Sequence, residues 1–538
     1  MSLSRREFIQ RLGMVGGGLV LPGSVLAQSK PSPPGNFRMS GGGKTTYVTD
    51  TGNPVANGTN LQAALDAARP GDVVLLHPGA TYLGNLRLPV KEGTRFIVVK
   101  SSADESLLPP ARTRTGPSYS THLAKIAAPG VDPALATVSG THHWRFENIE
   151  FVPAANGLTA ALVQLGSLYA SEQGSLAQVP HDLAFDRVLI NVPAGVSLRR
   201  GIGLDSARTK IVNSYIAGAK SPYSDAQAIL GINGPGPFLI DNNYLEGSGE
   251  NVMFGGGDPA IVGLVPSDIT FTRNHCAKPW SWRESRAWSV KNLFELKNAQ
   301  RVRIEGNLFE NNWSASQVGW AILFNVRNQD GTAPWSTVRD VIFRNNVVRH
   351  ATGGINLLGI DNYHPSVRAK NITITNNLIY DIDGPSYGSS VYMGGFLIVL
   401  DGVDNLTVEH NTVVNTGTIL SADGEGGVTT GLVYRNNYMR NNAYGIFGSG
   451  YGTGISSLEH YFPGYVVVGN VIAGGLERFY PAGNFFPEVS EFDNSFVDPA
   501  SGNYRLVAGS RFQTAATDGT QVGADLDAIS AASRAGQQ

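Results

Sequence analysis

The chain has 538 residues, a formal net charge of −2 and a single cysteine, Cys276. This charge gives no reason to expect binding to nucleic acid or to an anionic membrane surface. One cysteine excludes an internal disulfide and a cysteine-rich metal site, so Cys276 is predicted to be a small core residue. The length alone favours several domains, but a chain with internal repeats can grow as one domain.

The first residues have the pattern of an export signal. Arg5 and Arg6 in "SRREF" precede the apolar run "LGMVGGGLVLPGSVLA", which is typical of a twin-arginine signal peptide cleaved after Ala27. The run is too short and too glycine-rich for a membrane anchor. Residues 28–43 are rich in Pro, Gly and Ser and predict a linker. We therefore expect a periplasmic or secreted protein whose mature form begins near Gln28 and has no membrane anchor.

A short helix is expected where the folded part begins. In "TNLQAALDAARPGD" the apolar residues from Leu61 to Ala68 fall on one helical face, and Thr59 or Asn60 can cap the first turn. A helix at this position would cover the open apolar end of a stacked fold.

A repeat dominates the chain from about residue 140 onward. Each copy has three to five alternating apolar residues, an Asn, a second short apolar run and a polar turn, as in "FLIDNNYLEG" and "VRIEGNLFEN". Stacked at one bend, such Asn side chains can form a ladder of amide hydrogen bonds, and Asn also tolerates left-handed backbone. The residues at this position, spaced by 26 to 39, are Asn148, Arg187, Asn213, Asn243, Asn274, Asn307, Asn346, Asn377, Asn411, Asn437 and Asn470.

These repeats predict an all-β fold, a right-handed parallel β-helix with about eleven or more coils. The strands are too short, and lack the intervening helices, for βαβ units, and a propeller or sandwich would not place Asn at one register so often. The domain is predicted to cover 44–525, including a closing segment that caps the helix or runs back along it. Residues 526–538 are rich in Ala and Ser and predict a loose tail. Over most of 45–525 the chain resembles the pectate-lyase-like β-helix superfamily.

Polar residues recur at the corner before each Asn-bearing strand. Neighbouring coils lie about 4.8 Å apart, so Lys297 and Arg327 should be adjacent, with Glu295 and Asn325 beside them. The aligned corner residues are Asp205, Asn233, Gly257, Asp258, Lys297, Arg327, Asp361 and Asp401.

Tryptophans and cations are concentrated near these corners. Six of the seven Trp lie between residues 280 and 335, where nine Lys and Arg face five acids over residues 270–330. Exposed Trp can stack on sugar rings, and the surplus of cations suits a polyanionic glycan. Packing of a long loop against the helix wall is the alternative for about half of the Trp, and Arg301 and Arg303 are expected on another face. The resulting candidates for substrate binding are Lys278, Trp280, Trp282, Arg283, Trp313 and Trp320.

Three segments resemble the alginate lyase and chondroitinase B family: "GENVMFGGGDP" at 249–259, "LFELKNAQRVRIEGNLF" at 293–309 and "AILFNVRN" at 321–328. The resemblance implies that Lys297 is a catalytic base and that Arg327, or alternatively Asn325, assists it. Family members carry two acidic calcium ligands five and seven residues before the Lys, where this chain has Asn292 and Val290. Glu250 resembles the Glu of the family's "GGE" segment, so calcium remains a possible cofactor, although the acidic ligands are missing at those two positions and no metal ligands are assigned.

The expected reaction is β-elimination at a uronate in an acidic polysaccharide. The substrate carboxylate must be neutralised, by an Arg or another cation, before Lys297 can remove the weakly acidic C5 proton. Arg327 is predicted to be either the partner of this carboxylate or a proton donor. A neighbouring cation such as Arg327 would help by lowering the pKa of the lysine. Glu250, Asp258, Glu295 and Asn325 are predicted to bind or orient the substrate, and the protein is expected to be a monomer.

Three alternatives remain open at this level. Asp361 and Asp401, with His364 nearby, could serve a glycosidase that resembles the polygalacturonases, although the paired Asp and Gly-His-Gly motifs of those enzymes are absent. The chain could also be a non-catalytic carbohydrate-binding or surface β-helix. Finally, Glu295–Lys297 and Arg327–Asp361 could be ion pairs that only stabilise the fold.

Overall fold

The computed structural model describes residues 43–388 and 393–534. The predicted signal peptide and almost all of the predicted linker lie outside these ranges. No helix in the described ranges is long and apolar enough to span a membrane.

Three long sheets make up the wall of the molecule, and each coil of the chain passes through them in the order A, B, C. Sheet A has 14 strands: Thr45–Val48, Val73–Leu76, Ile97–Ser101, His142–Glu147, His181–Asp186, Ala207–Val212, Phe238–Asp241, Ser267–Thr272, Ala299–Glu305, Val338–Arg344, Lys370–Thr375, Asp404–Glu409, Val433–Arg435 and Val466–Val468.

Sheet B has 13 strands: Thr81–Leu83, Ala124–Ala127, Ile149–Val152, Leu189–Asn191, Tyr215–Ala219, Tyr244–Gly247, His275–Ala277, Leu308–Asn312, Val347–Ala351, Leu378–Ile382, Thr412–Asn415, Tyr438–Arg440 and Val471–Ala473. Sheet C also has 13: Leu86–Leu88, Leu135–Thr137, Val163–Leu165, Arg200–Leu204, Gln227–Gly231, Glu250–Phe254, Asn292–Leu296, Trp320–Asn325, Gly353–Leu358, Leu397–Leu400, Leu420–Asp423, Ile446–Gly448 and Gly452–Thr453.

The remaining elements are short and lie in loops or at the ends. Two small sheets pair Leu158–Thr159 with Ser197–Leu198 and Phe496–Asp498 with Asn503–Leu506. The α-helices are Pro54–Ala67, Ala170–Gln173, Trp280–Ser285, Gly384–Tyr387, Ile455–Tyr461, Val489–Asp493 and Leu526–Arg534. The 3-10 helices are Glu105–Leu107, Pro117–Tyr119, Leu176–Gln178, Glu477–Phe479, Pro499–Ser501 and Arg511–Gln513.

The prediction of a right-handed parallel β-helix is confirmed. Within the three sheets, each strand pairs in parallel with the strand of the next coil, apart from the antiparallel pair Ile446–Gly448 and Gly452–Thr453. Apolar side chains of all three sheets fill one continuous core. Phe271, Phe309 and Phe343 of successive coils stack inside it with ring centroids 6.2 and 5.9 Å apart. Cys276 is buried in the same core, as predicted.

The capping helix exists, but it begins earlier than the sequence suggested. It covers Pro54–Ala67, and Asn53 caps it by accepting hydrogen bonds from the backbone N–H groups of Val55 and Ala56. The prediction of Thr59 or Asn60 as the cap was wrong, because Asn53 followed by Pro54 is the stronger start signal. Leu61 and Leu65 are fully buried under the first coil, as expected.

The asparagine ladder is real over eight of the predicted positions, from Asn243 to Asn470, and Asn484 extends it. At each step the side-chain oxygen of one Asn accepts hydrogen bonds from both the backbone N–H and the side-chain amide of the Asn one coil earlier, at 2.8–3.2 Å. The ladder therefore ties together the bends between sheets A and B.

Asn148 and Asn213 are not members of this ladder. They lie in a neighbouring column, one residue earlier in each coil, where the backbone is left-handed, with φ of 52° and 54°. Arg187 belongs to the same column with φ of 55°. Two functions that the sequence assigned to one residue, left-handed backbone and amide stacking, are thus divided between two consecutive residues.

The closing segment runs back along sheet B, one of the two paths considered from the sequence. Phe492 and Phe512 pack on Tyr438, and Asp525 N–H donates to Asn376 Oδ1 (2.6 Å) further back along the helix. The prediction of a loose tail from residue 526 was wrong for the described part. Leu526–Arg534 is a helix with Leu526 buried in the same apolar cluster.

Candidate functional site

Lys297 lies at the corner where sheet C passes into sheet A. Its backbone N–H donates to the carbonyl oxygen of Phe254 on the preceding coil (2.7 Å). Gly255 allows this approach: its φ is +89°, and a Cβ there would lie 2.6 Å from the nitrogen of Asn298. The Lys297 ammonium group lies 3.6 Å from Glu295 Oε1, and 16% of the lysine side chain is exposed. The two coils pack closely at this corner, and the Lys297 side chain remains partly exposed.

Arg327 lies at the same corner one coil later, as predicted. Its backbone N–H donates to the carbonyl oxygen of Lys297 (2.9 Å). Its guanidinium donates to Asp361 Oδ1 (3.1 Å) and lies 5.6 Å from the ring centroid of Tyr363. Lys297 and Arg327 are therefore adjacent in the stack, but each has a carboxylate partner of its own.

Further polar side chains lie close to Lys297 on sheet C and in the loop before it. Lys291 Nζ lies 2.5 Å from Asp225 Oδ2 and 3.8 Å from Glu250 Oε1. Asn292 Nδ2 donates to Glu295 Oε2 (3.0 Å). We call this set the sheet C polar cluster; its members are Asp225, Glu250, Lys291, Asn292, Glu295 and Lys297.

The cluster contains buried oxygens that lack a hydrogen-bond partner among the described residues. They are Oε1 of Glu250 and Oδ1 of Asn292, and Oδ1 of nearby Asn325 is in the same state. Buried polar atoms are nearly always hydrogen-bonded in folded proteins, so several unpaired ones in one place need a functional explanation. They make this face the candidate site for a polar ligand.

Glu250 is fully buried within the cluster and accepts a hydrogen bond from Gln227 Nε2 (2.7 Å). Burial, reinforced by the Asp225 carboxylate, raises the pKa of Glu250 to about 7, against the opposing effect of Lys291. The fold therefore favours the protonated form of this side chain, and stability should depend on pH.

The sign of that dependence follows from proton binding. Between the unfolded pKa of 4.5 and the folded value of about 7, the folded chain holds a proton that the unfolded chain has lost. Stability must then fall as the pH rises through this window. We expect Glu250→Gln to remove this loss. The free energy of unfolding of the variant, relative to that of wild type, should therefore increase by roughly 2–3 kcal/mol when the pH is raised from about pH 5 to about pH 8. Chemical unfolding of both proteins at the two pH values tests this; an equal difference at both would contradict it.

Lys278 was predicted to bind substrate, and the structure contradicts this. Its side chain is fully buried, and Nζ donates to the carbonyl oxygens of Ser248 (3.2 Å) and Gly249 (3.0 Å) and to Asn251 Oδ1 (2.9 Å). Burial lowers the pKa of Lys278, and the surrounding oxygens compensate by solvating its ammonium group. Lys278 therefore holds the turn that leads into Glu250 and does not face a ligand.

The predicted tryptophans divide into buried and exposed groups. Trp282 and Trp313 are buried with Val290 in a small apolar cluster, which contradicts their predicted contact with substrate. Trp335 donates its ring N–H to the carbonyl oxygen of Leu264 (2.9 Å). These side chains pack loops against the wall of the helix, which was the alternative considered from the sequence.

Trp280 is the exposed member, with 37% of its surface accessible. It stacks against Trp313 and Tyr387 at centroid distances of 5.8 and 5.7 Å, and the Arg283 guanidinium lies over both Trp280 and Tyr387. An open pocket of about 380 Å³ adjoins this stack. An aromatic plane with a cation above it is suited to a sugar ring that carries an acidic group. The residues lining the pocket are Trp280, Arg283, Glu284 and Arg286.

Trp320 lies half-buried on sheet C at the start of its strand. A Cβ at Gly353 would lie 2.8 Å from Trp320 Cδ2, and one at Gly395 would lie 3.0 Å from Cη2. The indole therefore rests on the bare backbone of the next two coils. Both glycines are needed for this packing.

Asp258, another predicted binding residue, closes a loop. Its Oδ2 accepts hydrogen bonds from the backbone N–H and the hydroxyl group of Thr332, both at 2.8 Å. This contact spans 74 residues and fixes the segment that follows Arg327. Asp258 thus acts on the site through the position of a loop.

Asp361 and Asp401 close loops as well. Asp361 accepts hydrogen bonds from the backbone N–H groups of Asn328 (2.7 Å) and His364 (3.3 Å). Asp401 has left-handed backbone, φ 55°, and its Oδ1 accepts from Gly426 N–H (2.7 Å). Carboxylates that are buried and committed to backbone donors are poorly suited to act as the acid and base of a glycosidase. The glycosidase alternative loses its main support.

Arg301 and Arg303 lie on sheet A, away from this face, as expected. Arg301 pairs with Asp268 (2.7 Å) and Arg303 with Glu305 (3.2 Å). Asp225 and Lys291, by contrast, belong to the site and were missed. They lie 66 residues apart in irregular loops, where the strand register gives no alignment. The local surplus of cations was the one available signal for Lys291.

The cluster does not fit a calcium ion. Calcium takes six to eight oxygen ligands, but the Lys291 ammonium group already lies between the carboxylates of Asp225 and Glu250. Among residues 43–388 and 393–534, the one set of three His, Cys, Asp or Glu ligand atoms within 4.8 Å of one another lies elsewhere, at His143, His181 and Asp182. The Lys291 ammonium group thus already neutralises the carboxylates of Asp225 and Glu250.

No family model and no curated protein matches the chain. Among solved structures it is similar to a PL6 family alginate lyase, AlyGC, with 14% identity and a TM-score of 0.54, over 90% of this chain and 57% of that one. A mannuronic acid specific polysaccharide family 6 lyase from human gut microbiota gives 12% identity and a TM-score of 0.50, over 84% of this chain and 93% of that one. The chain spans little more than half of the first of these proteins. At such identities the likeness establishes the fold, the parallel β-helix.

Proposed function

We propose that the protein is a polysaccharide lyase that cleaves a uronate-containing glycan by β-elimination. The single observation that carries the proposal is the surface position of Lys297 beside the buried, partly unpaired oxygens of the sheet C polar cluster, with Arg327 on the next coil. Of two structural neighbours of the same fold, one is an alginate lyase and the other a mannuronic acid specific polysaccharide lyase by name, which supports the same class of substrate.

The residues can divide the work of elimination as follows. Arg327 and Lys291 bind the substrate carboxylate and neutralise it, which makes the C5 proton more acidic. Lys297, in its amine form, removes that proton; the electron pair forms the C4–C5 double bond and the C4–O bond breaks. The departing oxygen takes up a proton from water or from the Lys297 ammonium group. Glu295, 3.6 Å from Lys297 Nζ, stabilises the ammonium as it forms.

Lys291 supplies the charge that a metal would otherwise provide. Its side chain is 18% exposed, so the ammonium group can reach a ligand while Asp225 and Glu250 hold it in place. We therefore expect activity to be insensitive to EDTA. Lys291→Met should lower kcat/KM roughly 10- to 100-fold, the effect of losing one charged hydrogen bond.

Lys291→Arg is the matched control, since it keeps the charge and should retain part of the activity. Added calcium is expected to restore some activity to Lys291→Met, because that variant frees the carboxylates of Asp225 and Glu250. If EDTA abolished wild-type activity and calcium restored it, neutralisation by Lys291 would be wrong.

The products of the reaction test the proposal itself. Purified protein incubated with alginate, pectate and glycosaminoglycans should produce unsaturated uronates, which absorb in the ultraviolet. New reducing ends without this absorbance would indicate a hydrolase. Binding to one of these glycans without any product would indicate a carbohydrate-binding β-helix.

We also propose that the protein is exported and acts outside the cytoplasm. The support is the twin-arginine pattern at Arg5 and Arg6, together with a polymeric substrate that cells do not take up intact. Replacing both arginines with lysine should retain the full-length chain in the cytoplasm, which fractionation of the expressing cells would detect.

A further inference from the structure

A second group of polar side chains lies on sheet A, on two earlier coils. Their strands come three and four places before Ser267–Thr272, the sheet A strand of the coil that carries Lys297. The strands His142–Glu147 and His181–Asp186 are neighbours, and their register pairs His181 with His142. His143 and Asp182 follow, both in left-handed backbone with φ of 59° and 52°. This register places three histidines and one aspartate together at the start of two adjacent strands.

The distances within this group suit a metal ion. His181 Nδ1 lies 2.7 Å and His143 Nε2 lies 4.0 Å from Asp182 Oδ2, and the three ligand atoms are all within 4.8 Å of one another. Zinc binds nitrogen and carboxylate oxygen at about 2.0–2.2 Å, which places ligand atoms about 3–3.5 Å apart. Small side-chain rotations are therefore enough to bring the three atoms onto one ion.

His142 orients the group. Its Nδ1 lies 2.8 Å from Nδ1 of His143, and its ring stacks on His181 with centroids 4.9 Å apart. One of two nitrogens at 2.8 Å must carry the hydrogen and the other must accept it. When His143 Nδ1 donates, the lone pair of His143 lies on Nε2, the atom that faces Asp182. A hydrogen bond at the far nitrogen is the usual way in which a protein fixes a metal-binding imidazole.

Asp182 is the anionic member of the group, and its carboxylate accepts hydrogen bonds from His181 Nδ1 (2.7 Å) and from Arg208. Arg208 contacts both carboxylate oxygens, at 2.8–3.0 Å. Oδ2 accepts from both His181 and Arg208, so a bound ion takes the place of these hydrogen bonds at Oδ2 and the proton on His181 Nδ1 is released, while Arg208 Nε keeps its bond to Oδ1 (3.0 Å).

We infer that His143, His181 and Asp182 form a binding site for a divalent transition metal, with Zn²⁺ the best match. Two imidazoles and one carboxylate are a donor set that zinc accepts, with the remaining position open to water or a ligand. The site clamps two neighbouring coils together on sheet A and is independent of the lyase chemistry proposed on sheet C.

Isothermal titration of the tag-free, chelator-treated full chain with Zn²⁺ near neutral pH tests this inference. We expect one ion per chain, and binding weakened by about 100-fold or more in the double variant His143→Ala/His181→Ala. Its matched control is His350→Ala/His410→Ala, since His350 and His410 each form a single pair with an aspartate, Asp381 and Asp518. That control should bind zinc as the wild type does.

A second readout avoids dependence on one variant. Co²⁺ bound to wild type should give visible absorption bands of low-symmetry coordination, and Asp182→Asn, which conserves side-chain volume, should lose them. Far-ultraviolet circular dichroism checks that the variants are folded. The inference is overturned if the wild type binds neither ion, or if it binds zinc no better than the double variant does.

Discussion

Lys297→Ala is expected to abolish turnover and to leave the fold intact. The ammonium group makes one ion pair, with the nearly buried Glu295 at 3.6 Å. Its removal costs some stability, but Glu295 keeps the hydrogen bond from Asn292 (3.0 Å) and the β-helix is retained. A general base contributes roughly 10²- to 10⁴-fold to a rate. We expect a loss of kcat of that size, with a smaller change in KM, because Lys297 acts on the C5 proton and does not hold the glycan.

The matched control is Arg303→Ala. Arg303 lies on the following strand, Ala299–Glu305, but on sheet A, and its guanidinium pairs with Glu305 at 3.2 Å. Both variants remove a cation that pairs with a glutamate on the same coil, but Arg303 lies on a different face and is more exposed, 49% against 16% for Lys297. Ultraviolet absorbance of the product gives the rates, and thermal unfolding compares stability. Full activity of Lys297→Ala would remove the proposed base, whereas equal losses in both variants would indicate an effect of charge alone.

Much of the fold could be predicted because its repeat is visible in the sequence. Asn at one register requires stacked bends, and stacking fixes which corners become neighbours; Lys297 and Arg327 were placed together on that basis. The error at Asn148 and Asn213 has the same origin. Left-handed backbone and the amide ladder both favour Asn at consecutive positions, and a single Asn in the pattern does not reveal which of the two it occupies.

The site was less predictable because burial and partners do not follow from composition. Lys278 was predicted to bind substrate because it is a cation in this region. In the structure its ammonium group instead donates hydrogen bonds to the buried carbonyl oxygens of the bend before Glu250. Trp282 and Trp313 counted as sugar platforms, yet the same large apolar area makes them suitable for fixing a loop. Lys291 and Asp225 meet through two loops of unrelated length, where repeat spacing carries no information.

Asn346→Ala is expected to destabilise the β-helix at its centre. The fully buried Asn346 side chain accepts from Asn307 N–H (3.0 Å) and donates to the carbonyl oxygen of Ile304 (3.0 Å). Alanine would leave both backbone groups buried without a partner, at a cost of roughly 2–4 kcal/mol. Because a solenoid can unfold in parts, hydrogen exchange at Asn307 and its neighbours is the most direct measurement, together with the unfolding midpoint.

The preceding residue provides the control. Asn345 has left-handed backbone, φ 56°, and its part-buried side chain donates to Glu305 Oε1 (3.2 Å) and accepts from Asn376 Nδ2 (2.7 Å). Glycine prefers this conformation, so Asn345→Gly should change stability by less than about 1 kcal/mol. The two substitutions lie one position apart in the chain and alter different columns of the bend. A large loss for Asn346→Ala and a small one for Asn345→Gly would show that the amide ladder, and not the left-handed turn, holds the coils in register; equal losses would contradict it.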